Sequence, residues 1–279
     1  MEILNGLVVS KALRETFKSR VQTFQNKMGY PPGLSVILVG DDPASHVYVK
    51  NKDKACQEVG ISSIRINLPK ETSEAELKKV IEEQNENPQV HGILVQLPLP
   101  QHISVSEVLR TIDPKKDADG LTYENMGLLW AGFPRVRSCT PYGVMKILEY
   151  YKISVVGLHA VVVGKSNIVG KPMAQMLLSA GATVTVCHRG TQNLREHTSR
   201  ADLVVVAAGQ KRFLGKDDFK KDSIVVDVGM HRLDGGKLCG DVRLEELENW
   251  AKAATPVPKG VGPMTITMLL ENTLTLAGA

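Results

Sequence analysis

The chain has 279 residues, 43% hydrophobic and 23% charged, a globular balance that excludes disordered and collagen-like chains and leaves room for two ordinary domains. Its formal net charge is only +4, and the basic residues are spread along the chain rather than gathered in the stripe of a nucleic-acid binder. Small anionic ligands are therefore the expected partners, with no nucleic acid and no membrane.

The first helix signal is Ser10, read as the cap of a helix over residues 10–28. Residues 34–39 (LSVILV) form a short, β-branched apolar run and are expected to be a buried parallel strand. Pro43 opens a helix over 43–59, and 73–84 carries Glu and Lys at helical spacing. Residues 92–97 (GILVQL) read as a second strand. Thr140 as cap and Pro141 at the first helical position start a helix reaching about Tyr151, and the domain boundary falls there. Buried strands follow at 159–163, 182–186, 203–207 and 223–228, with a helix over 172–179 after the first of them. A stiff Pro-rich loop, 256–263, precedes a last helix from Met264 to about Ala277.

Strand–helix alternation implies an α/β fold with right-handed crossovers. The expected division is an N-terminal α/β domain, residues 1–139, rejoined by a C-terminal helix, 263–279, and a Rossmann-type domain, 140–262. Cys56, Cys139, Cys187 and Cys239 are far apart and form no C-x-x-C pair. That argues against a disulfide framework or a metal site and for a reducing compartment. No basic-then-apolar leader is visible, and no apolar run reaches the roughly 20 residues of a bilayer span. A soluble, cytoplasmic protein is expected.

In the second half, the strand HAVVV runs into Gly164-Lys165-Ser166-Asn167-Ile168-Val169-Gly170-Lys171-Pro172. Strand, glycine-rich turn and helix together offer backbone N–H groups and a positive helix end to phosphates. The match to G-x-G-x-x-G is imperfect, so the pattern also fits an ordinary tight turn. The next strand ends at Cys187-His188-Arg189, where an NAD site often carries an acidic ribose ligand. Arg189 stands there instead, and Lys165 sits on the glycine turn. Two cations favour a 2′-phosphate and hence NADP, although Arg189 also fits a solvated loop. Ala207-Ala208-Gly209 and Asp227-Val228-Gly229-Met230 end strands at the same sheet edge, where open α/β sheets bind ligands.

In the first half, Ser45, Tyr48 and Lys52 share one face of the 43–59 helix, and Cys56 extends it; Lys54 points elsewhere. A Lys beside a Tyr on a partly buried face can exchange protons near neutral pH. The spacing alone fits a solvated Lys-rich face equally well. Gln96 ends a buried strand and needs polar partners. Asp119 lies in the turn-rich Lys116-Asp117-Ala118-Asp119-Gly120, where it or Asp117 could instead cap a turn. Tyr48-x-x-x-Lys52 also matches a short-chain dehydrogenase pair, but no glycine-rich turn precedes it, and that reading is rejected.

The segments VGDDPASHVYVKNKDKAC, GILVQLPLP, KKDADGL, CTPYGVMKIL, VVVGKSNIVGKPMA, DVGMHRL, GDV and TPVPKGVGPMT, in this order over about residues 36–267, resemble the methylenetetrahydrofolate dehydrogenase/cyclohydrolase family. The resemblance implies a folate substrate, NADP as cofactor, no metal, and a homodimer formed through the nucleotide domains. It makes Lys52 the residue that handles the proton transfers of hydrolysis. Tyr48 would stack on the folate rings and help position Lys52, Gln96 would bond near Lys52 and the reacting carbon, and Asp119 would anchor the pterin. Ser45, Val95, Leu97 and the loop Gly260, Val261, Gly262 and Pro263 would border the folate, in a cleft between the domains. Gly164, Lys165, Ser166, Arg189 and Met230 would surround NADP.

Three positions depart from the family pattern. Lys165 stands where Arg is common, keeping the charge but not the bidentate fork. Lys259 stands at the first glycine of a usual Pro-Gly-Gly-Val-Gly run. Met230 replaces a more typical Ile. Two other readings stay open here: a dehydrogenase without the hydrolytic step, and a non-catalytic dinucleotide-binding module.

Overall fold

The computed structural model describes the backbone of all 279 residues and every side chain except those of Pro43 and Ala44. In chain order the elements are β1 (Glu2–Ile3), α1 (Gly6–Met28), β2 (Gly33–Val39), α2 (Pro43–Val59), β3 (Ser62–Leu68), α3 (Glu74–Glu86) and β4 (Gly92–Val95). Then come α4 (Val105–Thr111), α5 (Tyr123–Trp130), α6 (Cys139–Tyr150), β5 (His159–Val163), α7 (Gly170–Ser179), β6 (Thr183–Cys187) and α8 (Leu194–Thr198). Last are β7 (Leu203–Val206), β8 (Ile224–Asp227), β9 (His231–Arg232), β10 (Leu238–Cys239), β11 (Ala253–Ala254) and α9 (Val261–Ala277). Two short 3-10 turns lie at Lys216–Asp218 and Leu244–Leu247. Among the described residues no helix is long and apolar enough to cross a membrane.

The chain divides into two compact units, one of residues 1–11 and 140–265, the other of residues 12–139 and 266–279. The division falls inside α1 and α9 and after the first residue of α6. The first eleven residues therefore belong with residues 140–265 and not with the 1–139 block expected above. The reason is β1, which pairs in parallel with β11, Glu2 opposite Ala253 and Ile3 opposite Ala254.

The unit built on residues 12–139 holds a parallel three-stranded sheet in the order β3-β2-β4. All seven residues of the central β2 are buried. Ile37, Val39, Ile93 and Val95 pack with Leu77 and Ile81 of α3 and with Val108 of α4. β3 was not expected. As an edge strand it alternates exposed and half-buried positions, a weaker signal than the continuous runs of its neighbours. Residues 266–279, which hold most of α9 and the two residues after it, belong to this unit: Arg14 Nε donates to Thr267 Oγ1 at 3.0 Å and Arg20 pairs with Glu271 at 2.9 Å.

The other unit holds a six-stranded parallel sheet in the order β1-β11-β8-β7-β5-β6. From β5 the chain passes to β6 on one side and then to β7 on the other. That reversal creates the crevice at the carboxyl ends of β5 and β7 in which open α/β sheets bind ligands. β5, β7 and β8 are almost wholly buried. β6 was read as a buried strand but is half exposed, because it is the sheet edge.

Three helix starts differ from expectation. α1 begins at Gly6, leaving Ser10 buried inside the helix rather than capping it. α6 begins at Cys139, so Thr140 is already helical; its hydroxyl shares a 2.9 Å hydrogen bond with Thr265. α9 begins at Val261, which puts Val261, Gly262 and Pro263 in its first turn rather than in a loop.

Candidate functional site

α2 carries the polar face. Its start is fixed by Asp42, whose Oδ2 accepts from both the Ser45 N–H and the Ser45 hydroxyl at 2.8 Å, the capping arrangement expected of Asp before a helix. Ser45 is thus on the predicted face and buried, with its hydroxyl engaged by the cap. One turn on, Tyr48 is about a third exposed, and burial of its ring raises the phenol above its ordinary pKa. A further turn on, Lys52 is only 7% exposed.

A lysine so buried needs a partner. Lys52 Nζ donates to Gln96 Oε1 at 2.7 Å, and Gln96 Nε2 donates to the Leu97 carbonyl at 2.6 Å. Gln96 lies just past β4, but its N–H still bonds to Ile37 O at 2.8 Å, so the sheet sets its position. Val95, the last residue of β4, is buried, and Leu97 is half-buried. The Leu97–Pro98 peptide is cis.

Asp119 is brought to the same end of β4 by local pairing. Ile93 N donates to Lys116 O at 2.6 Å and Ala118 N to Ile93 O at 3.3 Å, which docks residues 116–118 beside β4. The choice left open between the two aspartates is resolved. Asp117 organises the turn, accepting from Gly120 N at 2.8 Å, Thr122 N at 2.7 Å and Asn125 Nδ2 at 2.9 Å. Asp119 instead faces Lys52. Gly120 follows with φ +70°, and a Cβ there would meet the Arg137 carbonyl carbon at 2.8 Å.

Burial lowers the Lys52 pKa, with the Asp119 carboxyl acting against it. Burial raises Asp119, with the Lys52 charge acting against it. Cys139, hydrogen-bonded to Asp119, is held well above the ordinary thiol value by burial and by that carboxyl. Asn272 fixes the loop from behind, donating to Ala118 O at 2.9 Å and Arg137 O at 2.7 Å. Lys52 and Asp119 are thus a buried amine and a half-buried carboxyl whose proton affinities are shifted toward each other, a condition that favours proton exchange between them and a bound substrate. Neither Cys139 nor Asn272 is assigned a site role by the sequence, where Cys139 stands only as one of four scattered cysteines and within the CTPYGVMKIL segment.

The nucleotide-type residues assemble in the other unit. Gly164 has φ +143°, and a Cβ there would lie 2.4 Å from Ala207 O; a Cβ on Gly170 would lie 2.1 Å from Gly164 O. Both glycines are required by close backbone approach, as in phosphate-binding turns. Ser166 Oγ accepts from Val169 N at 3.1 Å and Gly170 N at 3.4 Å, securing the start of α7. Lys165 and Arg189 are exposed, and neither enters an ion pair among the described residues. A narrow glycine cradle at a helix start, with two solvent-facing cations, fits a phosphorylated dinucleotide.

Met230 is 39% exposed beyond β8. A Cβ on Gly262 would meet Met230 Cε at 2.7 Å, so a residue assigned to the cofactor packs on one assigned to the folate. Gly260 and Val261 are buried. All three belong to the nucleotide-type unit, whereas Lys52, Gln96 and Asp119 belong to the other. Among the described residues no group of three His, Cys, Asp or Glu side chains is placed to hold a metal.

Two family models match in sequence. Residues 4–119 match the catalytic domain, and residues 138–279 the NAD(P)-binding domain, of tetrahydrofolate dehydrogenase/cyclohydrolase. The chain belongs to that family. A relative from Bdellovibrio bacteriovorus, named bifunctional protein FolD, is 59% identical over 99% of this chain and 96% of its own. Among solved structures, the bifunctional methylenetetrahydrofolate dehydrogenase/cyclohydrolase from Campylobacter jejuni matches with a TM-score of 0.97 and 49% identity, covering 100% of this chain and 99% of its own. The Trypanosoma brucei enzyme, solved with NADP cofactor and an inhibitor, matches with a TM-score of 0.94 and 35% identity, covering 99% and 97%. The family's two domain types thus fall on the amine–carboxyl site and the glycine cradle respectively.

Proposed function

We propose that the chain is a bifunctional one-carbon folate enzyme. It oxidises 5,10-methylenetetrahydrofolate to 5,10-methenyltetrahydrofolate with NADP⁺ and hydrolyses that product to 10-formyltetrahydrofolate. The observation that carries both activities is the buried Lys52 bonded to Gln96 with Asp119 facing it, in a chain that also has the glycine cradle at Gly164.

NADP⁺, held at the glycine cradle, would supply the hydride acceptor for the one-carbon bridge. The part of this chain is to hold donor and acceptor in line, which is most of what such a transfer requires. Gly164, Lys165, Ser166 and Arg189 grip the dinucleotide, and Met230 borders it. Tyr48 stacks on the folate, and Val95, Leu97 and residues 260–263 line its path.

In the second step water adds to the cationic methenyl carbon. The carbon–N5 bond then breaks, one water proton goes to N5 and the other is released. Lys52 moves these protons. Gln96 fixes the Lys52 amine, and Asp119 both anchors the pterin and sets the affinity of Lys52 for its proton. An intact Lys52, Gln96 and Asp119 argues against a dehydrogenase that lacks hydrolysis, and polar groups in both units argue against a non-catalytic module.

The test is spectroscopic. Purified protein supplied with methylenetetrahydrofolate and NADP⁺ should form NADPH while methenyl fails to accumulate. Methenyl that builds up and decays only at the buffer rate points to the dehydrogenase alone; no reduced cofactor defeats both enzyme readings. The protein is further inferred to act in the cytoplasm as a homodimer through its nucleotide-type units, which light scattering checks as twice the chain mass.

A further inference from the structure

Asp241, in the segment Gly240-Asp241-Val242, is fully buried and lies outside every role assigned so far. Its Oδ2 accepts from Ala208 N at 2.7 Å and Gly209 N at 2.9 Å. Its Oδ1 accepts from Gln210 N at 3.0 Å and from His231 Nε2 at 2.6 Å. The three N–H groups are consecutive in the turn after β7, and His231 directly follows Met230 after β8. One carboxylate thereby joins two loops at the ligand-binding edge of the sheet. The first of these loops begins at Ala207, whose carbonyl lies against Gly164.

Asp241 is itself held. Asp227 Oδ1 accepts from Asp241 N at 3.0 Å and Gly229 N at 2.9 Å, and Oδ2 from Val242 N at 2.9 Å. The neighbouring glycines admit these carboxylates. A Cβ on Gly229 would lie 2.4 Å from Asp241 Oδ1, and one on Gly240 would lie 1.9 Å from Asp227 Oδ2. Three successive backbone donors converge on one fully buried carboxylate and give the turn a single shape, since Asp241 would otherwise be left buried with its acceptors unsatisfied.

We propose that Asp241, held by Asp227 and completed by His231, is a positioning residue for the dinucleotide. It fixes the loops after β7 and β8 in the form that receives the cofactor. The inference rests on the reading that this unit binds NADP.

Three variants of the full chain test it: Asp241→Asn, which turns an acceptor into a donor facing N–H groups, His231→Ala, which removes a donor, and His231→Gln, which keeps one. NADP⁺ affinity is read by calorimetry, KM and kcat for NADP⁺ by the dehydrogenase assay, and methenyl hydrolysis separately. Asp241→Asn should raise both Kd and KM for NADP⁺ about tenfold, with kcat and hydrolysis changed less than about twofold. His231→Ala should shift Kd the same way, and His231→Gln should stay near wild type. Wild-type NADP⁺ affinity in Asp241→Asn overturns the proposal, as does hydrolysis falling in step with oxidation. If Asp241→Asn does not fold, the two His231 variants decide: equal affinity in both overturns it. A wild-type protein that binds no NADP⁺ defeats the functional reading rather than this inference.

Discussion

Lys52 donates to Gln96 at 2.7 Å, and that one bond joins the middle of α2 to the end of β4. The amine is held by an amide whose own N–H group is bonded to the Leu97 carbonyl, so the oxygen of Gln96 can face only the lysine. Replacing Gln96 with Leu leaves a buried amine without its acceptor. Methenyl hydrolysis should fall by roughly 10²-fold, the cost of a lost hydrogen bond to a charged group, while KM for the folate changes less. Steady-state kinetics on Gln96→Leu checks this; hydrolysis within about twofold of wild type would remove Gln96 from the step.

The pH dependence of hydrolysis follows from Lys52. Its folded pKa is below the ordinary lysine value because of burial, so the neutral amine appears at lower pH than in a free lysine. The rate limb that reports this group should rise with pH well before the usual lysine range. Asp119 opposes the shift. Removing its charge in Asp119→Asn takes away stabilisation of the ammonium, so the limb should move to lower pH. Measured pH–rate profiles decide, and a limb that moves upward would show that the carboxyl is not acting on Lys52.

Lys259 has φ +80°, in the left-handed region that costs a non-glycine residue about 1 kcal/mol. The family pattern of glycine at this place has that physical reason. Lys259→Gly should leave the unfolding free energy equal or higher, and Lys259→Val should lower it by about 1–2 kcal/mol, both read from urea unfolding. If Lys259 also contacts an anionic folate tail, Lys259→Gly should weaken polyglutamylated folate more than the monoglutamate. Unchanged affinity for both would remove that contact.

What the sequence disclosed tracks how each element is buried. Strands covered on both faces, such as β2, β5, β7 and β8, appear as unbroken apolar runs. β3 and β6 are edges with mixed exposure, so β3 is missed and β6 is read as more buried than it is. β1 and β11 are two residues each, too short for any periodicity. Ser45, Tyr48 and Lys52 were legible from helical spacing, but that Asp119 rather than Asp117 faces Lys52 depends on residues 116–118 docking along β4. The Asp227–Asp241 network left only an oblique trace, a glycine two residues after Asp227 in DVG and one directly before Asp241 in GDV.

The most direct test of the account is Lys52→Ala, assayed for oxidation and hydrolysis on the same preparation. Folate binding should be largely kept and methenyl hydrolysis should drop to the buffer rate, so methenyl accumulates as NADPH forms. Hydrolysis of methenyl at the wild-type rate in this variant would contradict the assignment of Lys52 and, with it, the proposed cyclohydrolase mechanism.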